Sequence, residues 1–255
     1  MAEFMSLQEA VGTHLEDGMT AAFEGFTHLM PYAAAHEAIR QKRRDLTVVR
    51  MTPDVIYDQM IGMGCVSKMV FSYAGNPGVG LLRRLRDSLE NGWPHRIEIV
   101  EHSHAALAHA YEAGASNLPF AVLRGYVGTD LPTVNPEIRE ITCPFTGEVL
   151  AAVPAINPDV TFIHALKADR KGNILIEGIV GVQKEAVLAA RIGYSDAHPY
   201  LFQGTVGDNL LMPLRSSPKT VLWDPMKTDR AAIETKRSGN SLDSTKADWL
   251  DPGLA

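Results

Sequence analysis

Leu7, Ala10, Val11 and Leu15 recur at helical spacing and predict a helix over Ser6–Leu15. Asp17-Gly18 then turns the chain into Met19–Phe23, an unbroken apolar run that fits a strand buried on both faces. The same alternation repeats. A helix is expected over Tyr32–Gln41 and a strand over Asp45–Arg50. Thr52-Pro53-Asp54 opens another helix, with Pro53 suited to its first turn. Lys68–Tyr73 reads as a third strand; it runs into the glycine-rich loop Ala74–Gly80 and then a helix over Leu81–Asn91.

The stretch Arg96–Asp130 is the one around which the rest is organised. Ile97, Ile99 and Val100 form a β-branched run. Ser103 can cap a helix whose apolar positions are Ala106, Leu107, Ala110 and Ala113, and Gly114 is a plausible stop. Phe120–Leu123 resumes extended structure, which makes a βαβ unit of about thirty residues. Glu101 then falls at the carboxyl end of a strand, where ligands bind in open α/β sheets.

Beyond it, Asn135–Val153 is an excursion broken by Pro136, Pro144 and Gly147, with Glu148–Val153 as one strand of a hairpin. Asp159–Ala165 is another apolar strand, Ala168–Asn173 a polar turn, and Gln183–Arg191 a helix. The expected fold class is α/β: an open, mostly parallel sheet flanked by helices.

Composition narrows the function classes. The 255 residues are 45% apolar and 21% charged, which suits a soluble globular protein. A formal charge of −6 argues against a nucleic-acid-binding surface. Cys65 and Cys143 make neither a disulfide framework nor a zinc set, and read as small buried apolar residues. No apolar run has the length of a membrane span, and Met1–Met5 lacks the pattern of a secretory signal, so a cytoplasmic protein is expected.

Three strand ends carry residues suited to a ligand: Gly25, the Gly75/Gly78/Gly80 loop, and Glu101. Glycines let backbone approach a ligand and leave amides free to donate; the bland alternative is an ordinary tight turn. Glu101 can orient an acyl group or act as a general base, or simply favour the start of the following helix. Glu24 is a second carboxylate candidate, with a structural hydrogen bond as its alternative. His102, His104 and His109 have poor spacing for a metal site, and no metal is expected. His28 is a loop residue that can touch substrate, while His164 reads as a core histidine. Asp169 and Asn173 hold a turn; Arg124, Thr129 and Asp130 tie together the loop after their strand.

These residues also suggest a family. Asp17-Gly-Met-Thr-Ala-Ala-Phe-Glu-Gly-Phe26 followed by Pro31 resembles the N-terminal signature of class I coenzyme A transferases. So do Arg124–Asp130, Thr146-Gly-Glu148, Pro158 through His164 to Asn173, and Lys184-Glu-Ala186, in particular for α subunits of the glutaconate CoA-transferase type. The resemblance spans Ser6–Arg191. Glu24 stands where the signature has its first glycine, and the stretch between Phe26 and Pro31 is one residue short.

The resemblance implies ping-pong transfer of CoA between carboxylic acids, through attack of a glutamate on an acyl-CoA thioester. It places that glutamate in a β subunit, within a Ser-Glu-Asn-Gly-like motif. Ile176-Glu-Gly-Ile179 lacks its flanks, so a hetero-oligomer is expected, with the CoA thioester as substrate and no permanently bound cofactor. The expected catalytic residue of this chain is Glu101. The expected substrate-binding residues are Glu24, Gly25, Phe26, Thr27, His28, Gly75, Asn76, Gly78, Gly80 and His102. A CoA-thioester hydrolase on the same scaffold and an inactive remnant are the alternatives.

After Arg191 the resemblance stops. Pro199-Tyr-Leu-Phe-Gln-Gly-Thr205 resembles the segment after the glutamine loop of ABC-transporter ATPases, but no phosphate loop stands anywhere in the chain, so ATP hydrolysis is not expected. From Arg215 on, few apolar residues recur periodically, a composition poor at building a core. A CoA-transferase-like domain over 1–191 and a divergent C-terminal segment over 192–255 are expected; the latter is a lineage-specific region or the product of a fusion or frame change.

Overall fold

A computed structural model describes residues 2–26, 29–76 and 80–191. The chain divides into units Met1–Ser195 and Asp196–Ala255, and every described residue belongs to the first. The expected divergent segment lies outside the described residues.

Helix α1 (Leu7–His14) begins on a capping box in which Ser6 and Glu9 satisfy each other's backbone amides. Strand β1 (Thr20–Glu24), α2 (Tyr32–Arg40), β2 (Leu46–Arg50), α3 (Val55–Gly62), β3 (Val66–Phe71), α4 (Arg83–Asn91) and β4 (Glu98–Glu101) follow in alternation. Then come α5 (His104–Ala115), β5 (Phe120–Leu123), the single turn α6 (Leu131–Val134), β6 (Arg139–Thr142), β7 (Val149–Pro154) and β8 (Val160–Ile163). A short hairpin, β9 (Lys167–Ala168) and β10 (Ile174–Leu175), leads to α7 (Gln183–Ala189).

The main sheet has the order β4-β3-β2-β1-β8 and every pairing in it is parallel. One face packs on α1 to α4 through Val11, Leu15, Ala35, Ile56, Met60 and Leu85. The other face packs Ala22, Val49, Val70 and Val100 against Leu107 and Tyr111 of α5 and Ala186 and Ala189 of α7. Buried on both sides, β1 and β2 read as near-continuous apolar runs for that reason.

Two expectations fail around α5. Phe120–Leu123 does form a strand, but β5 pairs antiparallel with β7 in a separate sheet of order β5-β7-β6. There is no βαβ unit at Arg96–Asp130. The burial alternates strictly along β5, Phe120 and Val122 out and Ala121 and Leu123 in, which is the signature of a sheet covered on one face. The in-facing residues pack on Ala106, Ala110 and Ala113, so α5 is wedged between two sheets. Its many alanines let both approach closely.

Gly114 is the second. It is the last residue but one of α5, which ends at Ala115 with Ser116 as its cap, and glycine is needed there because a Cβ would stand 2.1 Å from the Ile156 carbonyl oxygen. Smaller differences follow local chemistry. Asp54 caps α3 by accepting from Ile56 N–H, which leaves Pro53 outside the helix, and β3 starts two residues early at Val66. Cys65 is buried as expected, whereas Cys143 is half-buried in the β6–β7 turn, where the Thr146 hydroxyl and nearby amides lower its thiol.

Candidate functional site

The carboxyl edge of the main sheet gathers Glu101, Phe71, Arg50, Glu24 and Ile163 from five neighbouring strands. Strand order runs outward from β1 in one direction through β2, β3 and β4, then resumes on its other side with β8. The crevice rule for such sheets points at this reversal, between β1 and β8. There the loop after β1 carries Gly25 and Phe26, and the exposed His164 follows β8. His164 is thus not the core histidine its apolar strand suggested.

Glu24 and Arg50 end the neighbouring interior strands β1 and β2 and are almost fully buried, 2% and 1% exposed. Glu24 Oε1 accepts from Tyr111 O–H at 3.0 Å and from Met51 N–H at 3.1 Å. Burial pushes its carboxyl up, against the opposing pull of Arg50 and these donors. The Glu24 side chain therefore lies in the interior, held by these hydrogen bonds. Arg50 donates to the Gly25 carbonyl at 2.9 Å, stands 3.8 Å from Asp54 Oδ2 and lies over the Tyr57 ring. Its Nε and second terminal nitrogen find no partner among the described residues. The Tyr57 hydroxyl accepts Phe23 N–H and donates to the Phe23 carbonyl, and burial raises it far above the usual phenol range.

On the other side, the Gln183 amide nitrogen at the start of α7 donates to Glu24 O at 3.2 Å and to Leu29 O at 3.1 Å. These two carbonyls flank Gly25 and Phe26. A side chain at Gly25 would place its Cβ 1.9 Å from Leu29 O, so only glycine fits. Phe26 is half-buried against Gly181.

At the β3 and β4 ends the described residues Gly80 and Glu101 are exposed. Asn76 and Gly80 exchange backbone hydrogen bonds across the glycine-rich loop, and Gly75 N–H donates to Pro53 O. Glu101 is exposed, and its main chain is fixed from both sides. Asn135 Nδ2 donates to its carbonyl at 2.7 Å, and the next two amides donate to Phe71 O and to the Tyr126 hydroxyl. The Ser72 hydroxyl donates to Met51 O at 2.6 Å, so it accepts from His104 Nδ1 at 3.1 Å. That assigns the proton to Nδ1 and leaves Nε2 of the exposed His104 free to accept. His102 points inward instead, 4% exposed, with Nε2 3.8 Å from Glu137. His102 and Lys68 together hold the Glu137 carboxyl below the usual carboxylate range.

The structure thus brings Gly25, Phe26, Gly75, Asn76, Gly80 and Glu101 to one edge of the sheet. Glu24 and Glu101 are three strands apart, roughly 14 Å by interstrand spacing. Two clefts in the described residues, about 500 Å³ between Phe120, Ile141 and Pro154 and about 570 Å³ beside Arg83 and Arg86, are not lined by Phe26, Asn76 or Glu101. Thr27, His28 and Gly78 lie outside the described residues. Arg50, Tyr111 and Gln183 tie this edge together through buried hydrogen bonds that the sequence does not single out, and His104, weighed there only as a metal ligand, bonds Ser72 instead. Arg50 alone carried a usable signal, a cation closing an otherwise apolar strand.

Residues 4–195 match the family model described as coenzyme A transferase. The A subunit of the 3-oxoadipate CoA-transferase of Pseudomonas knackmussii is 65% identical over 191 residues, 75% of this chain and 68% of that one. The A subunit of the glutaconate CoA-transferase of Acidaminococcus fermentans is 31% identical, over 70% of this chain and 60% of its own length. The crystal structure of the glutaconate coenzyme A-transferase from that organism superposes with a TM-score of 0.66 at 29% identity, covering 73% of this chain and 64% of that one.

Proposed function

The chain belongs to the coenzyme A transferase family, and from that premise we propose that it is the α subunit of a transferase that exchanges CoA between an acyl-CoA and 3-oxoadipate or a closely similar acid. The observation that carries the substrate is the 65% identity to one chain of an enzyme of that name. In this reading Gly25, Phe26, Gly75, Asn76 and Gly80 present backbone to the acyl group, and Glu101 orients it. Glu24 and His102 support the edge from beneath.

A partner β subunit brings the attacking glutamate and closes the open edge into a pocket. The glutamate adds to the thioester carbonyl, CoA thiolate leaves, and the mixed anhydride formed is reopened by that thiolate to give a glutamyl thioester and the free acid. Amides aimed at the developing oxyanion lower each barrier. The test is co-expression with a β subunit, followed by a CoA-exchange assay with 3-oxoadipate. Gly25→Ala, which drives a Cβ into Leu29 O, should abolish exchange; retained exchange in that variant removes the loop after β1 from the site.

Hydrolysis on the same scaffold has one observation in its favour. Among the described residues the Glu101 carboxylate and His104 Nε2 have no hydrogen-bond partner at the edge, and either can take a proton from water. Release of free CoA without an acceptor acid would distinguish it.

A further inference from the structure

Arg50 does more than fill the interior. Its guanidinium donates to the carbonyl of Gly25, and that carbonyl shares a peptide plane with the N–H of Phe26. In a trans peptide the C=O and N–H bonds point in opposite directions. Arg50 is fully buried beneath the sheet edge, so with the oxygen turned down to it the Phe26 N–H is turned up, away from the interior. That N–H has no acceptor among the described residues. We propose that Arg50 is a positioning residue that fixes the Gly25–Phe26 peptide so that Phe26 N–H serves as an oxyanion donor.

The cation also polarises the peptide, since a charge-assisted bond to a carbonyl strengthens the donor on the same amide. Gln183 completes the arrangement. Its single amide nitrogen bridges Glu24 O and Leu29 O and so keeps the plane from swinging as charge builds on the ligand. Gly25 is required because the bridge draws Leu29 O into the space a side chain would need. Asp54, 3.8 Å from the same Arg50 nitrogen, supplies part of the balancing charge.

The inference rests on the transferase reading for its activity assay, and hydrogen exchange tests it separately. In the complete complex with its β subunit, Arg50→Met should lower kcat by about 10- to 100-fold, below the 10²- to 10³-fold cost of deleting an oxyanion donor outright. The KM for acyl-CoA should change less than about threefold, and Arg50→Lys should recover most of the loss. A folded Arg50→Met complex with kcat within twofold of wild type overturns the proposal. Should that variant not fold, Gln183→Met tests the same peptide without leaving a buried charge unbalanced, with the same expected split and the same overturning result. Independently, the Phe26 amide of the free wild-type chain should exchange rapidly and become protected when a non-hydrolysable acyl-CoA analogue binds the complex. Protection already present in the free chain overturns the orientation. A wild-type complex that exchanges no CoA yet shows a rapidly exchanging Phe26 amide defeats only the transferase reading.

Discussion

The Tyr111 hydroxyl donates to Glu24 Oε1 across 3.0 Å, joining the middle of α5 to the end of β1. Both groups are buried, so neither can exchange this partner for water. Tyr111→Phe should cost about 1 kcal/mol, the net worth of one such bond, because Glu24 keeps the Met51 amide. Glu24→Ala should cost about 3 kcal/mol, since it strands the buried Tyr111 O–H and Met51 N–H together. Urea unfolding of the two variants measures the difference; equal losses would contradict it.

The same carboxyl sets a pH dependence. Burial raises it in the folded chain above its unfolded value, so the folded state holds its proton longer. Stability from this group is greatest when it is protonated and falls as pH climbs from the unfolded value of about 4.3 through the folded one. Relative to wild type, Glu24→Gln should gain stability over that interval and level off above it. A difference that stays flat from acid to neutral pH, or runs the other way, would contradict this.

Gly114 and Ile156 approach so closely that a methyl group has no room between them. Gly114→Ala should separate α5 from the chain entering β8 and destabilise by about 2 kcal/mol, in spite of alanine's better helix propensity. The thermal midpoint reports it. An unchanged or raised midpoint would mean that the segment at Ile156 can give way.

This glycine also shows what could be read from the chain alone. Its place late in an amphipathic run looks the same whether it ends the helix or admits a neighbour, and only the neighbour decides. The alternation from β1 to β4 is legible because strands covered on both faces are apolar without interruption. Phe120–Leu123 reads as part of that sheet, although its strict in-and-out burial belongs to a strand covered on one side. In the site, Gly25, Asn76 and Glu101 can be named because loops after strands carry ligands in this architecture. Gln183 cannot, since its partners are main-chain oxygens, which leave no trace in side-chain patterns, and Arg50 shows only as a cation closing an otherwise apolar strand.

Glu101 separates the two reactions the scaffold can support. If the attacking carboxylate belongs to the partner, Glu101→Gln keeps the shape and loses only a charge near the acyl group. CoA exchange should then fall by no more than about tenfold, or about 1.4 kcal/mol. A loss beyond a thousandfold, together with loss of free-CoA release, would assign Glu101 the leading chemical role.

The most direct measurement is intact-mass spectrometry of both subunits, denatured within seconds of mixing the complex with acyl-CoA and no acceptor acid. The account predicts a CoA thioester on one glutamate of the β subunit, with this chain unmodified. A CoA adduct on this chain, or steady release of free CoA with neither subunit modified, would contradict it.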